Sequence, residues 1–299
     1  MKNRNKIKKG NLGVTIILYI LVTLFAFVAL YPMYYVLILS VSEAKYAATM
    51  DVYFLPKGID FTAYKLLVQN EGLWRAYGNS ILYVVCNTIL MLLTTIPVAY
   101  GLSYKKLIGR KFLTVFLLIP MYFSGGLIPT YLLIVKLGLY DSPLAMIIPA
   151  CFSIWNIILV RSFFRTIPES LVEAAKIDGA SIIQVLLNVF IPLGKAIFAV
   201  IAVYTIVGVW NSWFRASVYL PHKEWQPVQL YLRRLLVESS GRVTDELDPV
   251  AQMEAAKRQL SNAQMKYAMI IFASIPAIIT YPFFQKYFVK GIVVGSLKE

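Results

Sequence analysis

The sequence predicts an all-α membrane protein of six transmembrane helices, and three observations carry that expectation. Of 299 residues, 59% are hydrophobic and 15% charged, with a mean hydropathy of +0.68. This is more apolar than a soluble core requires and suits a chain solvated by lipid. Six stretches run free of charge for long enough to cross a hydrocarbon layer of about 30 Å. Lys and Arg then gather in alternate loops, the asymmetry that orients helices in a bilayer.

Met1 to Lys9 is a basic tail, and the first span runs from about Val14 to Leu39. Its apolar length exceeds the roughly 7 to 15 residues of a signal-peptide core, and no small-residue cleavage site closes it, so it reads as a retained helix. Glu43 to Arg75 reads as a polar loop. The second span lies within Ala76–Tyr104 and is followed by a basic loop with Lys105, Lys106, Arg110 and Lys111. The third, Phe112 to Val135, contains Ser124-Gly125-Gly126 and Pro129, which predict a kinked or broken helix. The fourth is about Pro143 to Val160, closed by Arg161 and Arg165. The fifth is about Ala196 to Phe214 and the sixth about Tyr267 to Gln285. Between these two, Arg215 to Lys266 is the one hydrophilic block large enough for a small exposed subdomain, with a helical piece at Pro249 to Gln264. The organisation is therefore 1–75 as tail, first helix and loop, 76–285 as the transmembrane core, and 286–299 as a basic tail. Cys86 and Cys151 fall in apolar runs and read as free thiols.

Six spans put both termini on one side. On that side the N-terminal tail holds five Lys and Arg, Tyr104–Phe112 four, Arg161–Lys195 four and Lys286–Glu299 three, sixteen together. The short loops of the other face hold five. The first face is expected to be cytoplasmic. The +14 net charge is thereby a topology signal, and nucleic acid is not an expected partner.

This orientation places Thr166 to Pro192, TIPESLVEAAKIDGASIIQVLLNVFIP, in the cytoplasm between the fourth and fifth spans. Thr166 with Glu169 fits a capping box, and Pro168 suits a first helical turn. Asp178-Gly179 should stop the helix, and Ser181 should cap a second one. Two short helices joined at Gly179 would make a knob.

Glu173-Ala174-Ala175, a two-residue gap, Asp178-Gly179-Ala180, then Pro192-Leu193 entering a span resembles the coupling loop of permease subunits of binding-protein-dependent ABC importers. Trp210-Asn211 and the terminal Phe283 to Glu299 are similar to the carbohydrate-uptake branch, the MalG-type subunits of the maltose importer and their alginate and pectin-oligosaccharide relatives. The resemblance covers most of the chain from Ala76 onward. It implies the type I importer (MetI-like) permease fold with both termini cytoplasmic, in the bacterial inner membrane. It also implies a knob docked on an ABC ATPase dimer through Glu173, Ala174, Ala175, Asp178, Gly179 and Ala180, and a tail contact through Lys290, Gly291 and Gly295. The implied partners are a second homologous permease, the ATPase, an extracytoplasmic solute-binding protein that meets the 215–266 block, a carbohydrate substrate and membrane lipid.

The residues themselves agree on what is missing. No GxxxxGK[ST] or GxGxxG sequence is present to cradle phosphates, so ATP and Mg are expected on the partner ATPase and no cofactor on this chain. No catalytic residue is expected, and the chain is a transport subunit rather than an enzyme. No Asp, Glu, Lys or Arg stands in the middle of a span, which disfavours the alternative of a self-sufficient secondary transporter or channel. A membrane scaffold or sensor without transport is the second rival. For the substrate path, Tyr83 with Asn87, Trp155 with Asn156, and Trp210 with Asn211 offer rings and amides for a sugar, although interfacial belts and helix contacts explain most such residues. His222, the single histidine, has no metal-ligand partners in view and reads as a plain surface residue.

Overall fold

A computed structural model describes residues 12–239, 262–280 and 282–285. Lys290, Gly291, Gly295 and most of the Pro249–Gln264 piece lie outside the described residues. The chain divides into two compact units, and within the described residues the first comprises 12–69, 236–239 and 262–272.

The first unit begins with α1 (Leu12–Val41), whose 30 residues span about 45 Å at 1.5 Å per residue. Its side chains from Val14 to Leu30 are exposed almost throughout, as suits a helix surrounded by lipid. The segment expected as a polar loop is built instead from α2 (Ala44–Thr49) and α3 (Thr62–Val68). Ile38, Leu39, Ala47, Val52 and Tyr267 form a small core there, which the polar composition of the segment concealed. Asp60 accepts from the Thr62 amide at 2.8 Å and the Thr62 hydroxyl at 2.6 Å, and these bonds hold its carboxyl below the ordinary range. Gln264, fully buried, donates to the Asp60 carbonyl at 2.8 Å and to that of Ser40 at 3.5 Å. Gln264→Leu leaves both carbonyls unpaired. The expected loss is about 1–3 kcal/mol, read as a lower unfolding midpoint in detergent.

The second unit comprises 70–235, 273–280 and 282–285. Its axis is α4 (Glu71–Ser103), capped by the Asn70 side chain and starting five residues earlier than the charge-free run suggests. The next three spans are all bent. α5 (Arg110–Tyr122) and α6 (Leu127–Lys136) meet at 110°, across Ser124-Gly125-Gly126, with Gly126 at φ +86°. This is the expected break, sharper than a kink. α7 (Leu144–Ile147) and the 3₁₀ turn Ile148–Ala150 meet α8 (Ile154–Phe164) at 40°. The fifth span joins a bent pair that the sequence did not announce. The short helix α10 (Ile182–Val185) runs through a π turn (Leu186–Phe190) into α11 (Ile191–Leu193), and α12 (Lys195–Trp210) leaves at 76°.

Gly194 makes that elbow. A Cβ there would stand 2.8 Å from the Phe190 carbonyl oxygen and 2.6 Å from the Phe198 ring, so the chain closes only where no side chain exists. Among the described residues, three helices are long and apolar enough to cross a membrane: Gly13–Val41, Glu71–Ser103 and α15 (Asn262–Gln285). The number becomes six when each bent pair is one span.

The block after α12 is helical as well. It contains α13 (Trp213–Tyr219), a 3₁₀ turn (Lys223–Trp225) and α14 (Val228–Ser239). Polar side chains of α4 fasten it. Asn79 donates to the carbonyls of Glu224 at 2.7 Å and Gln226 at 3.2 Å, and the Tyr83 hydroxyl to that of Trp225 at 2.7 Å. The Val228 amide donates to the Ser80 hydroxyl at 2.8 Å. His222 is exposed but not plain. Its Nδ1 pairs with the Asp141 carboxylate, a contact between residues 81 positions apart that spacing cannot reveal.

Candidate coupling and translocation site

The knob is α9 (Glu169–Ile177), Gly179 and the start of α10. The expected cap fails at the first helix, whose N-cap is Pro168. The Thr166 hydroxyl instead donates to the Phe163 carbonyl at 2.8 Å, closing the end of α8. The capping box is on the second helix, where Ser181 and Gln184 bond each other's backbone amides.

The spacing of the central residues now has a physical reason. The Ala180 amide donates to the Ala175 carbonyl at 2.9 Å and the Gly179 amide to the Lys176 carbonyl at 3.0 Å, with Gly179 at φ +79°. This is the Schellman end of a helix, which needs a left-handed residue after the cap and brings the side chains of Ala175 and Ala180 together. Those two alanines, with Val172, are half-buried against the core of Met91, Leu102, Val160, Phe164 and Phe190. Glu173, Ala174, Asp178 and Gly179 face outward. One motif therefore divides between a face that anchors and a face that is presented.

The presented face is apolar at its tip. Ile177 is 86% exposed, Ile182 63% and Ile183 68%, with charged Glu173, Lys176 and Asp178 around them. Exposed isoleucines on a polar-edged projection mark a contact surface.

Three contacts brace the knob against the ends of the spans. Lys105 Nζ meets Glu169 Oε2 at 2.6 Å, the Tyr100 hydroxyl donates to the Ile182 carbonyl at 3.0 Å, and Lys176 Nζ lies 5.2 Å above the Tyr104 ring. The Lys105 ammonium holds the Glu169 carboxyl below its ordinary range. The contribution of that pair is thus present above the usual carboxylate pKa and fades as pH falls through the lowered one. Beneath it, the Phe190 ring packs edge-on at 4.9 Å from Tyr100 and 5.0 Å from Phe164. The knob runs into α12 through α10, the π turn and α11, with only Gly194 between the last two helices.

The six substrate-path candidates lie in different surroundings. Tyr83 and Asn87 are buried, and Asn87 donates to the carbonyls of Tyr83 at 2.8 Å and Met146 at 3.2 Å. Trp210 is buried and donates to the Ala273 carbonyl at 3.0 Å, whereas Asn211 is exposed. Trp155 is 54% exposed and Asn156 is buried. Sequence reasoning missed Asn79, Ser80 and Gln226, buried polar groups; the first two bond backbone far away in the chain, and Gln226 donates to the nearby Leu220 carbonyl. Polar residues on the apolar helix α4 were the available signal for the first two.

A bent-helix membrane core with a braced helical knob defines a class, the polytopic helical membrane proteins that carry a projecting helical elbow. Comparison with known proteins then gives the family. The chain is 33% identical to Protein LplC of Bacillus subtilis over 91% of its own length and 90% of that protein's. It is 32% identical to the polygalacturonan/rhamnogalacturonan transport system permease protein YtcP of the same organism, over 94% and 97%. Among solved structures, a bacterial ABC transporter involved in the import of the acidic polysaccharide alginate superposes with a TM-score of 0.80 at 33% identity, over 95% of this chain and 99% of that one. No protein-family model matches the chain. The protein belongs to the carbohydrate-uptake permeases of ABC importers, non-enzymatic transport subunits of the bacterial inner membrane.

Proposed function

We propose that this permease forms half of the pore of an importer of acidic oligosaccharides, with both termini in the cytoplasm. The observation that supports it most is the knob, an exposed isoleucine tip on a glycine-hinged projection that is continuous with a spanning helix. In this reading Ile177, Ile182 and Ile183 enter a groove on a separate ABC ATPase, and Glu173 faces a basic group there. The ATPase binds ATP and Mg, and this chain holds no cofactor. Closure of the ATPase dimer moves the knob, and the π turn and Gly194 elbow pass the motion to α12. The 286–299 tail, with Lys290, Gly291 and Gly295, makes a second contact with the ATPase. A second permease completes the pore, and a solute-binding protein delivers the sugar to the 215–266 block. Tyr83, Asn87 and Trp210 serve this pore by fixing its helices, while Trp155, Asn156 and Asn211 remain the candidates for sugar contact. Acidic substrates are favoured by the polygalacturonan/rhamnogalacturonan and alginate assignments of the relatives.

The test is reconstitution in proteoliposomes. ATP-driven uptake of oligogalacturonate is expected with the partner permease, ATPase and binding protein all present, and none from this chain alone. Flux through the isolated chain would establish the rival reading of a self-sufficient transporter or channel.

A further inference from the structure

The helix α13 has unequal faces. Ala216 and Tyr219 are buried, Trp213, Phe214 and Ser217 are exposed, and Arg215 lies half-buried on the flank, one turn before Tyr219. The Tyr219 ring stacks on Tyr131 at 6.2 Å and 10°, and Tyr140 meets Tyr131 edge-on at 5.7 Å. Of these rings Tyr140 is the most open, at 37% exposure. A guanidinium therefore stands at the margin of a tyrosine cluster.

No carboxylate among the described residues lies within ion-pair distance of Arg215. The acid joined to this corner is Asp141, whose amide donates to the Tyr219 carbonyl at 2.9 Å. Its carboxylate is taken, since His222 engages it through both Nδ1 and the backbone amide. Burial pushes the Arg215 guanidinium down from its ordinary pKa, although such a group stays charged. A cation withdrawn from water without a counter-ion is unfavourable, and an arriving anion relieves that.

The flat, five-donor guanidinium matches a carboxylate in two parallel hydrogen bonds, and a neighbouring ring suits the C–H face of a pyranose. We infer that Arg215 reads the carboxylate of an acidic sugar at the extracytoplasmic entrance, with the Tyr131–Tyr140 cluster beside it receiving the sugar ring. This rests on the proposed function and deepens it by naming the residue that selects charge. Among the described residues the Arg215 side chain makes no ion pair, so its replacement breaks none.

The experiment uses the complete complex in nanodiscs, with trigalacturonate and its methyl ester as probes and ATPase stimulation as the signal. Arg215→Gln is expected to lower the preference for acid over ester about tenfold, as loss of a charge-assisted pair implies. Arg215→Lys, which keeps the charge and loses the fork, falls between. An unchanged preference in Arg215→Gln overturns the inference, as does an equal loss for both sugars. An effect that follows the content of anionic lipid, and not the sugar, overturns it in favour of a lipid headgroup. Stimulation of the wild type by the ester and not by the acid leaves an importer standing but removes both its acidic preference and this inference. Failure of the complete wild-type complex to respond to either sugar removes both.

Discussion

Gly179→Val is expected to leave the protein in the membrane and to abolish ATP-driven uptake. The cause is backbone strain and not crowding, since a Cβ at Gly179 meets nothing within 4 Å while φ is +79°. A left-handed conformation costs an L-residue about 1–2 kcal/mol, more when the side chain is β-branched, and every 1.4 kcal/mol is tenfold in population. With that penalty the Schellman end opens, Ala180 leaves Ala175, and α9 no longer holds its angle to α10. The order of harm is therefore Asn below Ala below Val, because Asn tolerates this region better than Ala despite its larger size. Uptake and ATP hydrolysis measured together in the reconstituted complex check this, since hydrolysis persists as uptake falls. An order that follows side-chain volume, with Asn worse than Ala, would contradict it.

Asn79→Leu should be the most damaging single change at the other end of the second unit. The wild-type amide serves two carbonyls, of Glu224 and Gln226, at a site only 9% exposed. Leucine cannot donate, so both carbonyls lose a partner, at a cost of about 1–3 kcal/mol. The 3₁₀ turn and the start of α14 should loosen from α4. Limited proteolysis of 220–239 and the thermal midpoint in detergent are the measurements. Ser80→Ala and Tyr83→Phe weaken the same fastening, and their effects combine non-additively with Asn79→Leu because all three hold one segment. Unaltered protease resistance in the triple variant would show that packing alone holds the segment.

The spans were legible because lipid imposes one simple rule, an unbroken apolar length, and the break at Ser124-Gly125-Gly126 was legible because glycine and serine weaken a helix locally. The elbow at Gly194 was not, since its cause is the approach of Phe190 and Phe198, a property of the folded chain. Thr166 misled for a related reason. A threonine three residues before a glutamate fits a capping box, but the carbonyl of Phe163 claims its hydroxyl first. Polar surroundings hid α2, α3, α13 and α14, in which a few residues such as Ala47, Leu67, Ala216 and Leu230 turn inward while others, such as Phe214, stay exposed. At the knob, the residue types and spacing were readable from the outset, while the division of the motif into Ala175 and Ala180 inside and Glu173 and Asp178 outside needed coordinates.

The ring of Phe198 occupies the volume that any side chain at position 194 would claim. It stands like a doorstop in the corner between α11 and α12. If the proposed coupling moves that corner, the ring must tilt with it, and trimming Phe198 is expected to widen the swing while blunting its direction.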